Sequence, residues 1–529
     1  MNRKKGKTTK TVAVSINPAT GEKLKEFPVN SIPELSDAIK KASIAQQGWA
    51  AVPVKKRVRY MMKIRRYLVD HIEEFAKIIS KDNGKSVTDA LITDLLNSAM
   101  AVSYYSKMAP KFLKERKLSA GNFLLINKRS RVVRVPFGVV GIISPWNFPF
   151  GIPFHEVIMA LLAGNAVILK TASETPWVGQ ILKDGIEAAD LPDHVFNYIN
   201  MPGSIAGDAF LEGGIDKLFF TGSVPVGKYL MRKAAETLTP VSLELSGNDP
   251  MIVCEDADLE RAASGAVWAG FQNAGQSCAG VERIYVHRGV YHDFLEILKG
   301  KIESLRIGEG TDYNTDIGPL TVYRQVETVR KHVSEALRMG AVVFAEKKPP
   351  ADLKGFFLPC TVLTGVNHEM MVMKEETFGP VVGVMLFETY DEAVALANDS
   401  DLGLTASVWS RDRKKAMEIG RRIRAGAITV NDHLMSHGLP ETPWGGFKQS
   451  SIGRTHGRLG FDEMTQPQVI VNDILPFVKK NFWWHPFSKK IFDAAAGAAY
   501  FLYGRNILVR IKGLISLLKV FPRTFFRGS

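Results

Sequence analysis

The chain has 529 residues, 46% hydrophobic and 23% charged, enough for two or three domains with sizeable buried cores. Its three cysteines, Cys254, Cys278 and Cys360, lack CxxC or CxxH spacing, fit neither a disulfide framework nor a zinc site, and place the protein in a reducing compartment. The formal charge of +14 is carried by the ends, with +5 on residues 1–10 and +9 on residues 476–529, so residues 11–475 are neutral; this argues against a nucleic-acid groove and for tails that meet an anionic surface.

In chain order, residues 1–10 read as a frayed basic arm, with no apolar stretch that would make them a secretory signal. Residues 31–110 read as several packed helices, with apolar residues such as Ile64, Leu68, Ile72 and Phe75 spaced three and four apart. From Arg131 the texture changes to β-branched runs at 131–135, 138–144, 166–170, 217–222, 241–245 and 251–254, each followed by turn or helical sequence. Strands alternating with helices predict a mostly parallel sheet. A second such set, at 283–287, 341–345, 381–387, 404–409 and 427–431, predicts a second α/β domain. Cys254 and Cys360 read as core thiols rather than as a bonded pair.

Four local settings carry chemistry. Cys278 follows a small-residue helix, and Ala274-Gly275-Gln276 reads as a turn presenting the thiol. Asn147 sits between Pro145 and Pro149 after a strand, where a fixed amide can serve as an oxyanion donor. Glu244 stands between Leu243 and Leu245 in a strand, a costly place for a charge, so a raised pKa and general-base work are expected. In Phe219–Lys228 a strand runs into Gly222-Ser223 and a helix carrying Gly227, which is a weak phosphate-site pattern. Each also has a bland reading, as a buried thiol, a turn asparagine, a paired glutamate and an ordinary strand-helix junction.

Taken together, these pieces resemble the aldehyde dehydrogenase superfamily from about residue 12 to residue 472. The matching stretches are INPATGE (16–22), PWNFP (145–149), LKTASETP (169–176), FTGSVPVG (220–227), LELSG (243–247), GQSCAG (275–280), EETFGPV (375–381) and PWGGFKQSSIGR (443–454). The resemblance implies an α/β fold with a Rossmann-like cofactor domain (11–118 and 137–247), an α/β catalytic domain (248–461) and a small β oligomerisation element (119–136 and 462–475), followed by a tail (476–529). It implies that Cys278 is the nucleophile, that Asn147 and the Cys278 backbone N–H hold the oxyanion, and that Glu244 activates water. Lys170 is expected at the adenosine ribose, Ser223 at the pyrophosphate, and Glu376 with Phe378 at the nicotinamide ribose and ring. Ser144, Pro145, Trp146, Ser173, Glu174, Gly222, Gly227 and Leu245 complete the expected NAD or NADP set, and no metal is expected. A homodimer or homotetramer built near 468–472 is also implied.

Three departures from the family pattern matter. Where NAD-preferring members carry a glutamate that repels a 2′-phosphate, this chain has Ser173 followed by Glu174, which a small loop shift would bring into the same place; the expectation is that NADP is accepted, alongside NAD or in preference to it. Where many members carry a lysine nine residues after the asparagine, it has Glu156 preceded by His155, so a relay role for that lysine does not carry over. LELGG has become LELSG, placing Ser246 beside the base. Residues 278–286 resemble the subgroup around bacterial diapolycopene-dialdehyde dehydrogenases and related membrane-associated enzymes, which implies long apolar aldehydes.

The tail combines Phe482-Trp-Trp-His-Pro-Phe487 with a basic, apolar stretch too short to span a bilayer. A helix there would place Arg505, Lys512, Ser516, Lys519 and Arg523 on one face and Ile507, Ile511, Leu514, Leu518 and Phe525 on another, an interfacial pattern with Trp483 and Trp484 at headgroup depth. The expectation is a cytoplasmic enzyme held peripherally on a membrane. The alternatives are a tail docked on protein, a soluble succinate-semialdehyde-type dehydrogenase, and a catalytically silent scaffold.

Overall fold

The computed structural model describes residues 12–475, 477, 478, 480, 481 and 483–520; the expected N-terminal arm lies outside these residues, as do Phe482, Arg523 and Phe525. The chain forms two compact units, one of the described residues up to 113 with 135–466, the other of 114–134 with the described residues from 467 on.

In the first unit the helical region begins where Ser31 and Glu34 form a reciprocal capping box for Ile32–Ala51. Val54–Asp70, Ile72–Asn83 and Asn97–Phe112 follow, and their apolar stripes, including Ile64, Leu68 and Phe75, are buried in a shared core. A π-helical turn, Ala90–Leu96, leads into the last of them.

The predicted strands form two sheets. A six-stranded sheet has the order Ser451–Ile452, Val241–Glu244, Lys217–Thr221, Val139–Ile143, Ala166–Lys170, Phe196–Tyr198, parallel except for the first strand. A seven-stranded sheet has the order Val342–Lys347, Cys360–Thr364, Val381–Phe387, Val281–His287, Asp249–Val253, Thr405–Trp409, Ala427–Val430, again parallel except for its first strand. Parallel strands covered on both faces explain the unbroken apolar runs in the sequence. Cys254 and Cys360 are free and buried, in agreement with their reading as core thiols.

The second unit holds a three-stranded sheet, Thr465–Asp473, Lys128–Pro136 and Arg116–Leu118, and two helices, Lys489–Tyr503 and Ile507–Leu518. The long amphipathic helix expected from residue 505 is instead the second arm of this hairpin. Gly504 ends the first helix, and the Asn506 side chain caps the next by accepting from the Val509 N–H. Gly497 and Gly513 let the arms approach: a Cβ on Gly497 would overlap the Gly513 carbonyl and the Ser516 Cβ. Ser516 therefore packs inside the hairpin, while Ile507, Leu508, Ile511, Ile515 and Leu518 stand exposed. Among the described residues no helix is long and apolar enough to cross a membrane.

Candidate active site

In the six-stranded sheet, connections leave in opposite directions from Val139–Ile143 and Lys217–Thr221, and open α/β sheets bind ligands outside the carboxyl ends of strands at such a switch point. A crevice of about 720 Å³ opens there. Ser144, Pro145, Trp146 and Asn147 reach it from one strand end, Lys170, Ser173 and Glu174 from the next, and Gly222, Ser223, Glu244 and Leu245 from two more. Glu376 and Phe378 close it from the loop before Val381–Phe387. Of the expected catalytic and cofactor residues, Gly227 alone is absent from its walls: a Cβ there would overlap the Leu245 side chain, so its role is to let the helix Val224–Thr237 pack closely.

The walls suit a dinucleotide. Lys170 is 4% exposed, and its ammonium has no hydrogen-bond partner among the described residues; burial lowers its pKa while Glu174 opposes the shift. Val224–Thr237 starts at Ser223 with no side-chain cap, leaving first-turn N–H groups for an anion. At the other end Glu376 accepts from the Gly247 N–H at 3.0 Å, and the neighbouring Ser246, the extra side chain of LELSG, opposes the rise of its pKa. Burial raises Glu376 to about 7. Phe378, at φ 53°, meets Trp146 edge-on at 5.6 Å, and its N–H donates to Glu282 at 2.8 Å.

Cys278 lies where this crevice meets a second cavity. The loop before it turns sharply, with Asn273 and Ala274 at positive φ. A Cβ on Gly275 would overlap the Gly379 carbonyl, so glycine is required at that close approach. Asn147 is brought to the same loop: its Nδ2 donates to the Gln276 carbonyl at 3.2 Å, and Asn273 Nδ2 donates back to the Asn147 carbonyl at 2.9 Å. Glu244 is 8% exposed, and burial raises it to about 8, a shift that the neighbouring Cys278 and Trp444 side chains oppose. The thiol is raised well above its ordinary value by burial and by the Glu244, Glu376 and Asp249 carboxyl groups. The three expected catalytic groups therefore converge.

Buried carboxylates that the sequence reading missed hold this arrangement. Asp94 accepts from the Phe150 and Gly151 N–H groups at 3.2 and 2.8 Å and pairs with fully buried Lys85 at 2.8 Å, fixing the backbone just after Asn147. Asp89 accepts from Gln272 Nε2 and the Asn273 N–H at 2.6 and 3.1 Å, fixing the start of the Cys278 loop. Asp89 immediately precedes the π-helical turn, and Asp94 lies within it. The sequence signal was present in an acid inside an apolar run, as in ALITDLL, but the partners are distant. Behind Glu244, His155 and His456 share a hydrogen bond of 2.9 Å, and burial lowers His155 to about 3 and the neighbouring His437 to about 4. Glu156 beside them is raised by burial and by Glu244.

The second cavity, of about 260 Å³, runs from Cys278 past Phe148, Ile152, Trp268, Leu434 and Trp444 to Ile92, Leu96, Met100 and Met435, which are partly exposed. It is mostly apolar, and among the described residues no lysine or arginine lines it.

A parallel-sheet nucleotide crevice and an apolar tunnel meeting at a cysteine define an aldehyde-oxidising oxidoreductase. The chain belongs to the aldehyde dehydrogenase family, whose model matches residues 4–470, and it is an NAD(P)-dependent enzyme acting on small-molecule aldehydes. It is 35% identical over 94% of its length to a 4,4′-diapolycopene aldehyde oxidase from Methylomonas, covering 93% of that protein. It is 36% identical over 85% of its length to a putative NADP(+) succinate-semialdehyde dehydrogenase from Mycolicibacterium smegmatis, covering 87% of that protein. Among solved structures, the NAD+ complex of an aldehyde dehydrogenase from Bacillus cereus matches with a TM-score of 0.83 at 32% identity, over 88% of this chain and 94% of that one. The expected fold and class are borne out.

Proposed function

We propose that the enzyme oxidises long-chain or otherwise apolar aldehydes to carboxylic acids through a covalent intermediate on Cys278. The observation that carries the substrate class is the tunnel: it offers apolar walls to an alkyl or polyene chain and no cation to a second carboxylate. His437 on its wall is neutral, since burial lowers it to about 4. The succinate-semialdehyde reading, which the name of one relative would favour, lacks the charge it needs.

The thiol attacks the carbonyl carbon, forming the Sγ–C bond, and its proton passes to Glu244, which lines the same crevice. On this reading the Asn147 amide and the Cys278 N–H hold the oxyanion. A bound NAD(P), held along the crevice, would supply the hydride acceptor that lets the oxyanion collapse to a thioester on Cys278. Glu244, freed of its first proton, then draws one from water, which adds to the thioester and releases the acid and the thiol. Lys170, Ser223, Glu376 and Phe378 are placed to orient the cofactor along the crevice, and Ser173, in place of a carboxylate, supports use of NADP. On this reading 11–118 with 137–247 bind the cofactor, and 248–461 carry the catalytic thiol.

Thr465–Asp473 is an edge strand with Val469, Ile470 and Val471 exposed, which supports homo-oligomerisation through the element of 119–136 and 462–475. The hairpin's exposed apolar face, flanked by Lys489, Lys490, Arg505, Arg510, Lys512 and Lys519, supports peripheral attachment to an anionic membrane through residues 476–529.

Steady-state kinetics over an aldehyde chain-length series, with NAD and NADP, and with and without residues 477–529, test the whole reading. Hexadecanal should be preferred to succinate semialdehyde, and truncation should abolish sedimentation with anionic liposomes. Equal activity on both aldehydes would overturn the substrate class, and unchanged sedimentation would overturn the membrane role.

A further inference from the structure

The apolar tunnel carries one polar group that the protein leaves unsatisfied well inside its wall. Asn97, at the start of the helix Asn97–Phe112, is on the lining. It follows Thr93 by four positions, as Leu96 follows Ile92 and Met100 follows Leu96, and all five residues line the tunnel. The π-helical turn and the helix therefore set a polar row beside an apolar one. Asn97 is 7% exposed, against 46% for Leu96 and 45% for Met100, so it is the deeper of these groups.

The other polar side chains of the wall are spent or stand elsewhere. Thr93 Oγ1 donates to the Asp89 carbonyl at 2.8 Å, and Gln272 Nε2 donates to Asp89 Oδ1 at 2.6 Å. Ser277 and His437 belong to the reacting end: Ser277 precedes Cys278, and His437 also lines the small cavity that holds Glu244 and Cys278. Asn97 Oδ1 is buried with no hydrogen-bond partner, and among the described residues Nδ2 has none either. A carboxamide left unpaired in an apolar wall is costly. With neither end tied, it can turn about its last torsion and offer the cavity a donor or an acceptor. An alkyl chain answers neither. A hydroxyl both donates and accepts, so it satisfies the carboxamide in either orientation.

We propose that Asn97 is a specificity-determining residue that hydrogen-bonds a hydroxyl carried on the substrate's chain. The proposal rests on the tunnel receiving the aldehyde chain. Cys278 fixes the carbonyl carbon and Asn97 fixes the hydroxyl, so the preferred substrates are apolar aldehydes hydroxylated at one set distance from the carbonyl.

Steady-state kinetics over monohydroxydecanals, substituted at each carbon from 2 to 10, test this. Rates are referred to the free aldehyde, because the 4- and 5-hydroxy isomers close to lactols. Removing the hydroxyl from water costs much the same along the series, so one position, with at most one neighbour, should exceed the rest in kcat/KM by about tenfold, the weight of one net hydrogen bond. Asn97→Leu should level the series, and Asn97→Gln, which keeps the carboxamide on a longer stem, should move the peak along the chain. The urea midpoints of both variants should stay near the native value, because no protein partner is lost. A flat native series, a peak that survives Asn97→Leu, or a fall in both midpoints overturns the proposal, while a preference for decanal over acetaldehyde keeps the tunnel reading standing. Decanal oxidised no better than acetaldehyde overturns both.

Discussion

Cys278 and Glu244 line the same crevice, and the Glu244 carboxyl group helps to raise the Cys278 thiol, so the expected nucleophile and the expected base are electrostatically coupled before any substrate arrives. That coupling links the two halves of the reaction. Removing the base should separate them: Glu244→Gln should still form the thioester, at a reduced rate, and then stall. The expected outcome is a burst of reduced cofactor approaching one equivalent per active site, followed by turnover slowed by about 10²–10⁴-fold, the usual weight of a general base. An acylated Cys278 should be trapped by mass spectrometry. Native steady-state turnover in this variant would remove Glu244 from the mechanism.

The same burial sets the pH dependence. Burial raises Glu244 to about 8, so it is protonated below that value and becomes a base as pH rises. The carboxylate fraction is about a tenth at pH 7 and about a half at pH 8. Thioester hydrolysis, followed in single-turnover experiments with a preformed acyl-enzyme, should therefore climb between pH 6 and 8 and level off above. A limb near pH 4 to 5 would mean that the working base is an ordinary exposed carboxylate instead.

Asp94 offers a test that separates stability from positioning. Asp94→Ala leaves the Lys85 ammonium buried and unpaired and removes the acceptor of the Phe150 and Gly151 N–H groups. Breaking such a pair typically costs about 3–5 kcal/mol, so a clear fall in the urea midpoint is expected. Replacing both partners, as in Lys85→Met with Asp94→Leu, should recover much of that stability. It should not recover turnover, because the backbone behind Asn147 still lacks its acceptor. Full recovery of kcat in the double variant would show that Asp94 matters only as the partner of Lys85.

The strands were legible because parallel strands buried on both faces leave unbroken β-branched runs, and nearly every run from Val139 to Val430 became a strand within a residue or two of its expected ends. Cys278, Asn147 and Glu244 were legible because each sits in a distinctive short context. The supporting carboxylates were not: Asp89, Asp94 and Glu282 act on backbone N–H groups far away in sequence, and nothing local marks which N–H groups need an acceptor. Asn97 opens a helix that also carries three serines, where one asparagine does not stand out. In the tail, periodicity carried an expected helix face through Ser516, whereas Gly504 and the Asn506 cap set the hairpin that buries it.

The tunnel makes the substrate reading quantitative. Each methylene moved from water to an apolar wall gains about 0.8 kcal/mol, so kcat/KM should rise roughly fourfold per added carbon until the cavity is filled. Met100 is 45% exposed on the tunnel lining, and a charge there is tolerable to the fold because its tip can reach water. Met100→Lys should therefore leave stability and activity on acetaldehyde close to native, because a two-carbon substrate stays at the Cys278 end. With dodecanal, whose chain must pass Met100, kcat/KM should fall by at least about tenfold, equivalent to roughly two methylenes losing apolar contact. The slope of log kcat/KM against chain length should also flatten where the chain meets the lysine. If the variant instead gained activity on succinate semialdehyde while dodecanal stayed at the native rate, the cavity would be a site for charged substrates that merely lacks its cation. The apolar assignment would then fail on the feature that supports it.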